Sequence, residues 1–446
     1  MYSIFLKTLG QIVHFLLKLG FKNLIVSIFA RKIEFEENNN GRKYNLLALN
    51  PSRFRGDLEV FESSKEFKVF KIPFRLQALI FAFFFGKDID CTNEVFFDTE
   101  QNSKFAKERK RYRDFLKIFL PGLYKYHNIH FVIGAAIHYR HDFDWGYVSN
   151  ELLTPYIVLH RENLLASESM ISHFKGYIKY LNRFPGTKII VQNNIVKELI
   201  IKSKYAGDDQ VTACGSLRMD NFLRKIREDD PSKVNNRVTF FSFLPGFFVF
   251  NDPKESIEHW PEDKSRGWYK LFENIHVLIA SIARNNPDID FVIKTKWEKN
   301  WINVIKELLY KNGLDFNKIK NLTITANVNP QDLILRSDVV CGFGSTALLE
   351  AAVAKKHVII PMFDEPSLKK NRKYLLFPNQ LDLFTIIKDK NKIEQEILRC
   401  VANPKVKSSL ISKRIDLFEE MVSNTNGDSF ERYKHAILES LERTVN

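Results

Sequence analysis

The sequence predicts an α/β protein with two doubly wound lobes that face a cleft. Short apolar runs alternate with amphipathic helical patterns in both halves of the chain, a spacing typical of parallel sheets covered by helices. A polar, charged segment at residues 226–237 separates the halves and indicates a linker. With 45% hydrophobic and 27% charged residues, the 446-residue chain has an ordinary globular composition.

The second half shows the alternation most clearly. Its predicted strands are residues 237–245, 290–296, 321–326, 338–343 and 357–361. Its main predicted helices are residues 267–287, 301–313 and 345–355. A shorter predicted helix is capped by Asn329 and has Pro330 at its first position. This order predicts one parallel sheet for this half.

The first half repeats the pattern less regularly. Its predicted strands are residues 43–50, 128–137, 154–163, 187–193 and 210–220, with helices at 170–184 and 194–207. The last stretch is charged and helical, and we expect it to cross back and brace the lobes. The chain is therefore predicted to consist of a basic N-terminal segment (1–32), a first lobe (33–226), a second lobe (237–405) and C-terminal helices (406–446).

A net charge of +14 and a pI near 9.3 favour anionic partners. The basic residues are scattered and no nucleic-acid-binding motif stands out. The charge is therefore interpreted as attraction to phosphorylated substrates and to an anionic membrane surface, with no nucleic acid. The four cysteines are far apart and include no CxxC pair, which indicates reduced thiols in the cytoplasm.

Residues 1–32 form a basic, apolar segment. Their longest uncharged run, residues 8–17, is too short to span a bilayer, and no cleavage site follows. The segment fits either an interfacial amphipathic helix or a packed helix. We expect a cytoplasmic protein, with peripheral attachment to the inner face of the cytoplasmic membrane left open.

The stretch SDVVCGFGSTALLEAAVAKKHVIIP, residues 337–361, predicts a strand, a small-residue loop and a helix. Glycines in such a loop let the backbone approach a ligand, and the first amides of the helix favour an anion. Ser345 and Thr346 add hydroxyl donors, and Glu350 lies one turn further along. A carboxylate there suits ribose hydroxyls, so the pattern predicts a nucleotide site.

The same stretch resembles the donor-binding signature of GT-B fold glycosyltransferases, and is most similar to the surface-polysaccharide and CDP-glycerol-transferase-like enzymes of bacteria. The segments TPYIVLHREN, KIIVQNNIVKELI and VTACGSLRMDNF are similar, in the same order, to the capsule-type members. The resemblance implies two Rossmann-like lobes and a nucleotide-sugar donor, with neither a cofactor nor a divalent metal.

The resemblance also implies donor-side roles. Gly344, Ser345 and Thr346 would hold the donor phosphates and Glu350 the ribose. Two further candidates are Asp364, beside Glu365 near the donor sugar or base, and Lys294, in a strand where many members have Lys-His-Pro. Here Thr295 and Lys296 replace the His-Pro pair, which weakens the case for a CMP-sugar.

Glycosyl transfer needs a base for the acceptor hydroxyl. Two stretches after predicted strands supply candidates: His138, His141, Asp142, Asp144, His160 and Glu162. Asp142 or Asp144 is favoured and Glu162 is second. Arg140, Arg161 and Arg218 could bind anionic donor or acceptor groups. Two H-x-x-H pairs fall at opposite ends of a predicted strand, too far apart to share a metal.

The sequence therefore predicts a glycosyltransferase that moves a sugar from a nucleotide-activated donor to a glycan or lipid-linked acceptor in the synthesis of a bacterial surface polysaccharide, such as capsule or O-antigen. Three alternatives stay open: a polyol-phosphate transferase using CDP-glycerol or CDP-ribitol, a UDP-sugar 2-epimerase, and a non-catalytic scaffold of a capsule complex.

Overall fold

The structure is a computed structural model. It describes residues 12, 15–35, 41–54, 56–86, 104–229, 234–246, 267–296 and 299–445. Part of the predicted 1–32 segment and part of the 226–237 linker lie outside the described residues.

The chain divides into two compact units. The first comprises Met1–Asn163, Ile178–Asp220 and Asp428–Asn446, and the second comprises Leu164–Tyr177 and Asn221–Gly427. The chain therefore passes between the units four times. Residues 164–177, which fall within the predicted first lobe, belong with the second unit.

The first unit contains a six-stranded parallel sheet in the order β2-β1-β3-β4-β5-β6. Its strands are β1 Tyr44–Leu49, β2 Phe67–Ile72, β3 Phe131–Gly134, β4 Tyr156–Leu159, β5 Lys188–Val191 and β6 Val211–Ala213. β3, β4 and β5 are buried throughout, because a parallel sheet is covered on both faces and its strands are continuous apolar runs. β2 was not among the predicted strands.

The second unit contains a second six-stranded parallel sheet in the order β12-β11-β10-β7-β8-β9. Its strands are β7 Arg237–Phe241, β8 Asp290–Lys294, β9 Leu322–Thr325, β10 Val339–Gly342, β11 His357–Pro361 and β12 Thr385–Ile387. Counted within the unit, this is the Rossmann order 3-2-1-4-5-6.

Helices connect the strands of both sheets. In chain order the described α-helices are α1 Lys22–Ala30, α2 Asp57–Glu62, α3 Phe74–Phe85, α4 Ala106–His127, α5 Arg140–Glu151, α6 Glu168–Ile178, α7 Asn194–Lys202, α8 Leu217–Glu228, α9 Tyr269–Asn285, α10 Lys299–Lys311, α11 Pro330–Leu335, α12 Ala347–Val353, α13 Ile393–Ala402, α14 Ser408–Met421 and α15 Ser429–Val445. Among the described helices, none combines the length and apolar character needed to cross a bilayer.

The last helix, α15, packs on the sheet of the first unit. Tyr433, Ala436 and Ile437 are buried in the core formed by β1, β2 and β3. The Asp220 carboxylate accepts hydrogen bonds from the backbone N–H groups of Ser429 and Phe430, at 3.1 and 2.8 Å. Asp220 therefore caps a helix more than 200 positions away in the sequence.

We expect Asp220→Ala to lower the free energy of unfolding by about 1–2 kcal/mol, because two N–H groups at the start of α15 lose their acceptor. Urea unfolding followed by circular dichroism measures the change. The control is Glu198→Ala, which removes an exposed i,i+4 pair with Lys202 in the same unit and should leave the midpoint unchanged. Equal midpoints for both variants would contradict the role of Asp220.

Candidate functional site

In each sheet, the order of the strands reverses at one point. In the second unit the chain runs from β7 through β8 to β9 on one side, and then returns to build β10, β11 and β12 on the other. β10 lies directly beside β7, with Val339 opposite Val238 and Gly342 opposite Phe241. Ligands of open parallel sheets bind beyond the carboxyl ends of the strands at such a reversal.

The loop at residues 342–346 lies at this reversal. A side chain on Gly342 would come within 3.2 Å of Leu348 Cδ2 and 3.4 Å of the Phe241 carbonyl oxygen, so only glycine fits without displacement. Gly344 has a φ of +66°, which other residues rarely adopt. Ser345 Oγ accepts a hydrogen bond from the backbone N–H of Ala347 at 3.2 Å, which leaves its own O–H to donate.

Residues 344–346 of this loop are the accessible part of a buried segment. Residues 337–343 and 347–354 are all buried, whereas Gly344, Ser345 and Thr346 are half-buried. Glu350, in α12, is only 4% exposed. The structure therefore presents the predicted phosphate-binding residues and places a buried carboxylate one turn behind them.

Aromatic side chains join the loops after β7 and β10. The Phe343 ring lies 5.3 Å from the Phe243 ring and 5.1 Å from the buried Trp268 ring, measured between centroids. Aromatic contacts of this geometry favour a fixed arrangement of the packed rings. The 342–346 loop is therefore held by the packing of Phe343 against Phe243 and Trp268.

A hydrogen-bonded network that the sequence analysis missed lies just beyond β7. Ser242 Oγ is 2.8 Å from His276 Nε2 and accepts a hydrogen bond from Trp301 Nε1 at 3.0 Å. His276 Nδ1 lies 2.6 Å from the Phe272 carbonyl oxygen, so it donates there and Nε2 accepts from Ser242. Burial lowers the pKa of His276 to about 4. Ser242 lies within the predicted strand at 237–245 and directly after β7, and a hydroxyl residue in that apolar run was the available signal.

Lys294 lies at the carboxyl end of β8. Its ammonium donates to the carbonyl oxygens of Thr295 at 2.6 Å and Ala326 at 3.0 Å, and burial lowers its pKa. Lys296, in contrast, is exposed. The local contacts of Lys294 therefore bind the ends of β8 and β9 together.

Asp364 and Glu365 follow β11 and contact α9. Asp364 Oδ2 accepts a hydrogen bond from Asn274 Nδ2 at 2.7 Å. The Glu365 carboxylate accepts from the backbone N–H groups of Lys270 and Leu271, at 2.7 and 2.9 Å. Glu365 is therefore a cap for the start of α9, a position that stabilises a carboxylate through the helix dipole.

In the first unit the reversal lies between β1 and β3, and a chain of buried hydrogen bonds lies beside it. Gln77 Oε1 accepts from the backbone N–H of Asn50, and Gln77 Nε2 donates to Asp142 Oδ1, both at 3.1 Å. Within the described residues, Asp142 Oδ2 has no hydrogen-bond partner. Burial raises the pKa of Asp142 to about 7, against smaller opposing effects of Gln77 and Arg53.

Asp142 and Asp144 lie in α5, whereas the sequence analysis placed them in a strand-end segment. Asp144 is 2% exposed and faces two arginines of α4: Arg113 Nε is 2.7 Å and Arg109 Nε 3.8 Å from Asp144 Oδ1. Two residues apart on one helix, the aspartates point to different neighbours, because successive helical positions turn by about 100°. Asp144 therefore has charged partners and Asp142 a neutral one.

The candidates after β4 have contrasting environments. His160 is buried, and burial together with nearby His138 lowers its pKa to about 3. Glu162 is exposed. Arg161 Nε lies 2.7 Å from Asp57 Oδ2.

Asp57 is a further residue that the sequence analysis missed. Burial raises its pKa to about 6, opposed by the charges of Arg161 and Arg218. The structure therefore brings the two predicted anion-binding arginines together around one buried carboxyl group. The third, Arg140, is half-buried at the start of α5.

No protein-family profile matches the chain, and no curated protein sequence matches it significantly. The fold is similar to a putative UDP-N-acetylglucosamine 2-epimerase from Listeria monocytogenes, with a TM-score of 0.51 and 12% identity over 90% of this chain and 97% of that one. It is also similar to a variant of the wall teichoic acid polymerase TagF, with a TM-score of 0.51 and 11% identity over 98% of each chain. These likenesses show the fold, and the prediction of two doubly wound α/β lobes of the GT-B type is confirmed.

The His276 network makes a testable contribution to the pH dependence of stability. Between pH about 6.5 and about 4, the unfolded chain binds a proton at His276 that the folded chain does not. Acidification through this range therefore favours unfolding, by about 3 kcal/mol at its lower end. We expect His276→Gln to be less stable at pH 7.5 and to lose less stability than the parent as the pH falls.

Urea unfolding at a series of pH values measures this difference, and subtraction from the parent cancels the other titrating groups. His435→Gln is the matched control, because His435 is 78% exposed and forms a surface pair with Glu439. Its curve should parallel that of the parent. An equally parallel curve for His276→Gln would show that His276 titrates as in the unfolded chain.

Proposed function

We propose that the protein is a glycosyltransferase that moves a sugar from a nucleotide-activated donor to a glycan or lipid-linked acceptor in bacterial surface polysaccharide synthesis. The observation that best supports this is the 342–346 loop. Its three half-buried residues interrupt a buried segment at the strand reversal of the second unit. That position and that chemistry suit the phosphates of a nucleoside diphosphate.

The donor phosphates bind at Gly344, Ser345 and Thr346 in this proposal. The backbone at Gly344 allows close approach, and the hydroxyls of Ser345 and Thr346 donate to phosphate oxygens. Glu350, one turn further, accepts hydrogen bonds from the ribose hydroxyls. Lys294 and Asp364 are additional candidate contacts to the donor. We rank them below the loop residues because each already hydrogen-bonds a protein group at this edge of the sheet.

The acceptor is activated in the first unit, with Asp142 as the general base. A base is most effective when its pKa is close to the working pH, and burial brings the pKa of Asp142 to about 7. Its Oδ2 atom has no hydrogen-bond partner among the described residues, so an acceptor hydroxyl or a bridging water would complete its contacts. The ion pairs of Asp144 favour a structural role for that residue, and Glu162 is the alternative base.

Arg161 and Arg218 bind an anionic group of the acceptor or its carrier, and Arg140 adds a third positive charge at the start of α5. The group would enter beside Asp57, whose carboxyl pKa is already raised to about 6 by burial. Planar guanidinium groups suit phosphate and carboxylate partners because they can form two parallel hydrogen bonds.

A thermal-shift series with UDP, GDP, CDP, CMP and dTDP tests the donor site. A nucleotide present at 100 times its dissociation constant stabilises the folded protein by about 2.7 kcal/mol. We expect one of them to raise the melting temperature of the parent and to have a much smaller effect on Glu350→Gln. Glu307→Gln is the matched control, since Glu307 is exposed in the same unit.

The identity of the nucleotide separates the alternatives. A shift with UDP, GDP or dTDP supports a sugar donor, whereas a shift with CDP alone favours polyol-phosphate transfer. A shift with UDP, together with conversion of a free UDP-sugar when no acceptor is present, favours an epimerase. No shift with any nucleotide, or equal shifts for Glu350→Gln and the parent, would contradict the proposed donor site and favour a scaffold.

Transfer assays with the donor so identified test the base. We expect Asp142→Asn to lower kcat by about 10²-fold or more. The activity of the parent should rise with pH through about 7 as Asp142 ionises, and this rise should be absent in the variant. Asp144→Asn should mainly reduce stability. A full loss in Glu162→Gln with retained activity in Asp142→Asn would assign the base to Glu162.

A further inference from the structure

The first 24 residues include a set of large apolar side chains that the fold leaves exposed. Phe15 and Leu19, one helical turn apart, are 61% and 52% exposed, and Leu16 between them is buried. Exposed large apolar residues also follow and precede this turn. We call the set of Ile12, Phe15, Leu19, Phe21 and Leu24 the N-terminal apolar surface. Such a concentration is unusual on a soluble surface and indicates a binding partner.

The charged residues among the first 33 positions of the sequence are all basic. The sequence contains no Asp or Glu before Glu34, but it contains Lys7, Lys18, Lys22, Arg31 and Lys32. Within the described part, the side chains of Lys18 and Arg31 are exposed. A basic rim around exposed apolar side chains is complementary to an anionic lipid surface, which offers both negative headgroups and an apolar interior.

The N-terminal apolar surface is attached to the first unit through α1. The Phe29 ring meets the Phe119 ring of α4 edge to face, at 5.2 Å between centroids. A side chain on Gly122 would lie 3.2 Å from the methyl groups of Val26, so glycine lets α1 lie close against α4. His127 Nε2 and the Ala30 carbonyl oxygen are 2.9 Å apart.

We propose that the N-terminal apolar surface docks on a bilayer that contains anionic phospholipids. The apolar side chains enter the boundary between headgroups and acyl chains, and the flanking lysines and arginines contact lipid phosphates. A second copy of the chain that docks through the same segment is a poorer occupant, because residues 1–33 of the two copies would bring the same positive charges together and contain no acidic residue to oppose them. This inference does not depend on the proposed transferase activity.

Sedimentation of the full chain with sucrose-loaded vesicles tests the proposal. We expect binding to vesicles of phosphatidylcholine with 30–40% phosphatidylglycerol, as a rough composition for an anionic surface, and little binding to pure phosphatidylcholine. Binding should weaken as the salt concentration rises, because exposed charges are screened. Replacement of Phe15 and Leu19 by Ser should reduce the partition coefficient at least about tenfold.

Matched controls separate this surface from general properties of the chain. Leu153→Ser with Tyr310→Ser removes two other exposed apolar side chains, 69% and 77% exposed, and should bind like the parent. Lys18→Gln with Arg31→Gln should weaken binding to anionic vesicles. Lys388→Gln with Lys390→Gln, two exposed lysines of the second unit, should weaken it much less.

Three results would overturn the proposal. One is equal binding to neutral and anionic vesicles, and another is unchanged binding of the Phe15 and Leu19 variant. The third is absence of vesicle binding together with a concentration-dependent dimer that this variant abolishes, which would assign the surface to a second copy. Circular dichroism and gel filtration of each variant check that the fold is kept.

Discussion

The pairing of β10 with β7 is the contact on which the candidate site of the second unit depends. It places the ends of the two strands, Phe241 and Gly342, side by side although they are 101 positions apart in the chain. A Cβ atom on Gly342 would lie 3.2 Å from Leu348 Cδ2 and 3.4 Å from the Phe241 carbonyl oxygen, so a larger residue would require Leu348 to shift slightly. The last pair of this register joins Gly342 to Phe241, and the 342–346 loop begins there. Phe243 and Phe343 then pack together across the same two strand ends, so the loop starts from a rigid base.

Two buried carboxylates on one helix of the first unit differ in their partners. Asp144 forms ion pairs with two arginines of α4, Arg109 and Arg113. Asp142, on another side of the same helix, has only the neutral amide of Gln77 as its hydrogen-bond partner among the described residues. Its charge is therefore poorly compensated and its carboxyl pKa rises to about 7. One helix thus holds a structural carboxylate and a carboxyl group that can exchange a proton near neutral pH.

The sequence was sufficient for the alternation of strands and helices, because buried parallel strands are continuous apolar runs and their ends have turn residues. It was not sufficient for α5: Asp142 and Asp144 face inward there, so a pattern that assumes apolar residues inside does not detect this helix. The cap that Glu365 provides to α9 joins residues 94 and 95 positions apart. Neither that contact nor the Ser242 and His276 pair has a local signature, since both depend on which strands become neighbours. The assignment of residues 164–177 to the second unit likewise depends on tertiary packing.

The path of the chain constrains how the first unit is completed. Its sheet lies within the first 213 residues, yet Tyr433, Ala436 and Ile437 of α15 are part of its core. The Phe430 ring lies 5.6 Å from the Phe61 ring and 6.5 Å from the Phe67 ring. Until α15 is available, these apolar side chains have no cover from it, and closing so long a loop costs conformational entropy that only the final contacts repay. The hydrogen bonds that the Asp220 carboxylate accepts from the backbone N–H groups of Ser429 and Phe430 offset part of that cost at the start of the helix. The last helix is therefore an integral part of the first unit, although the 200 residues before it belong almost entirely to the second.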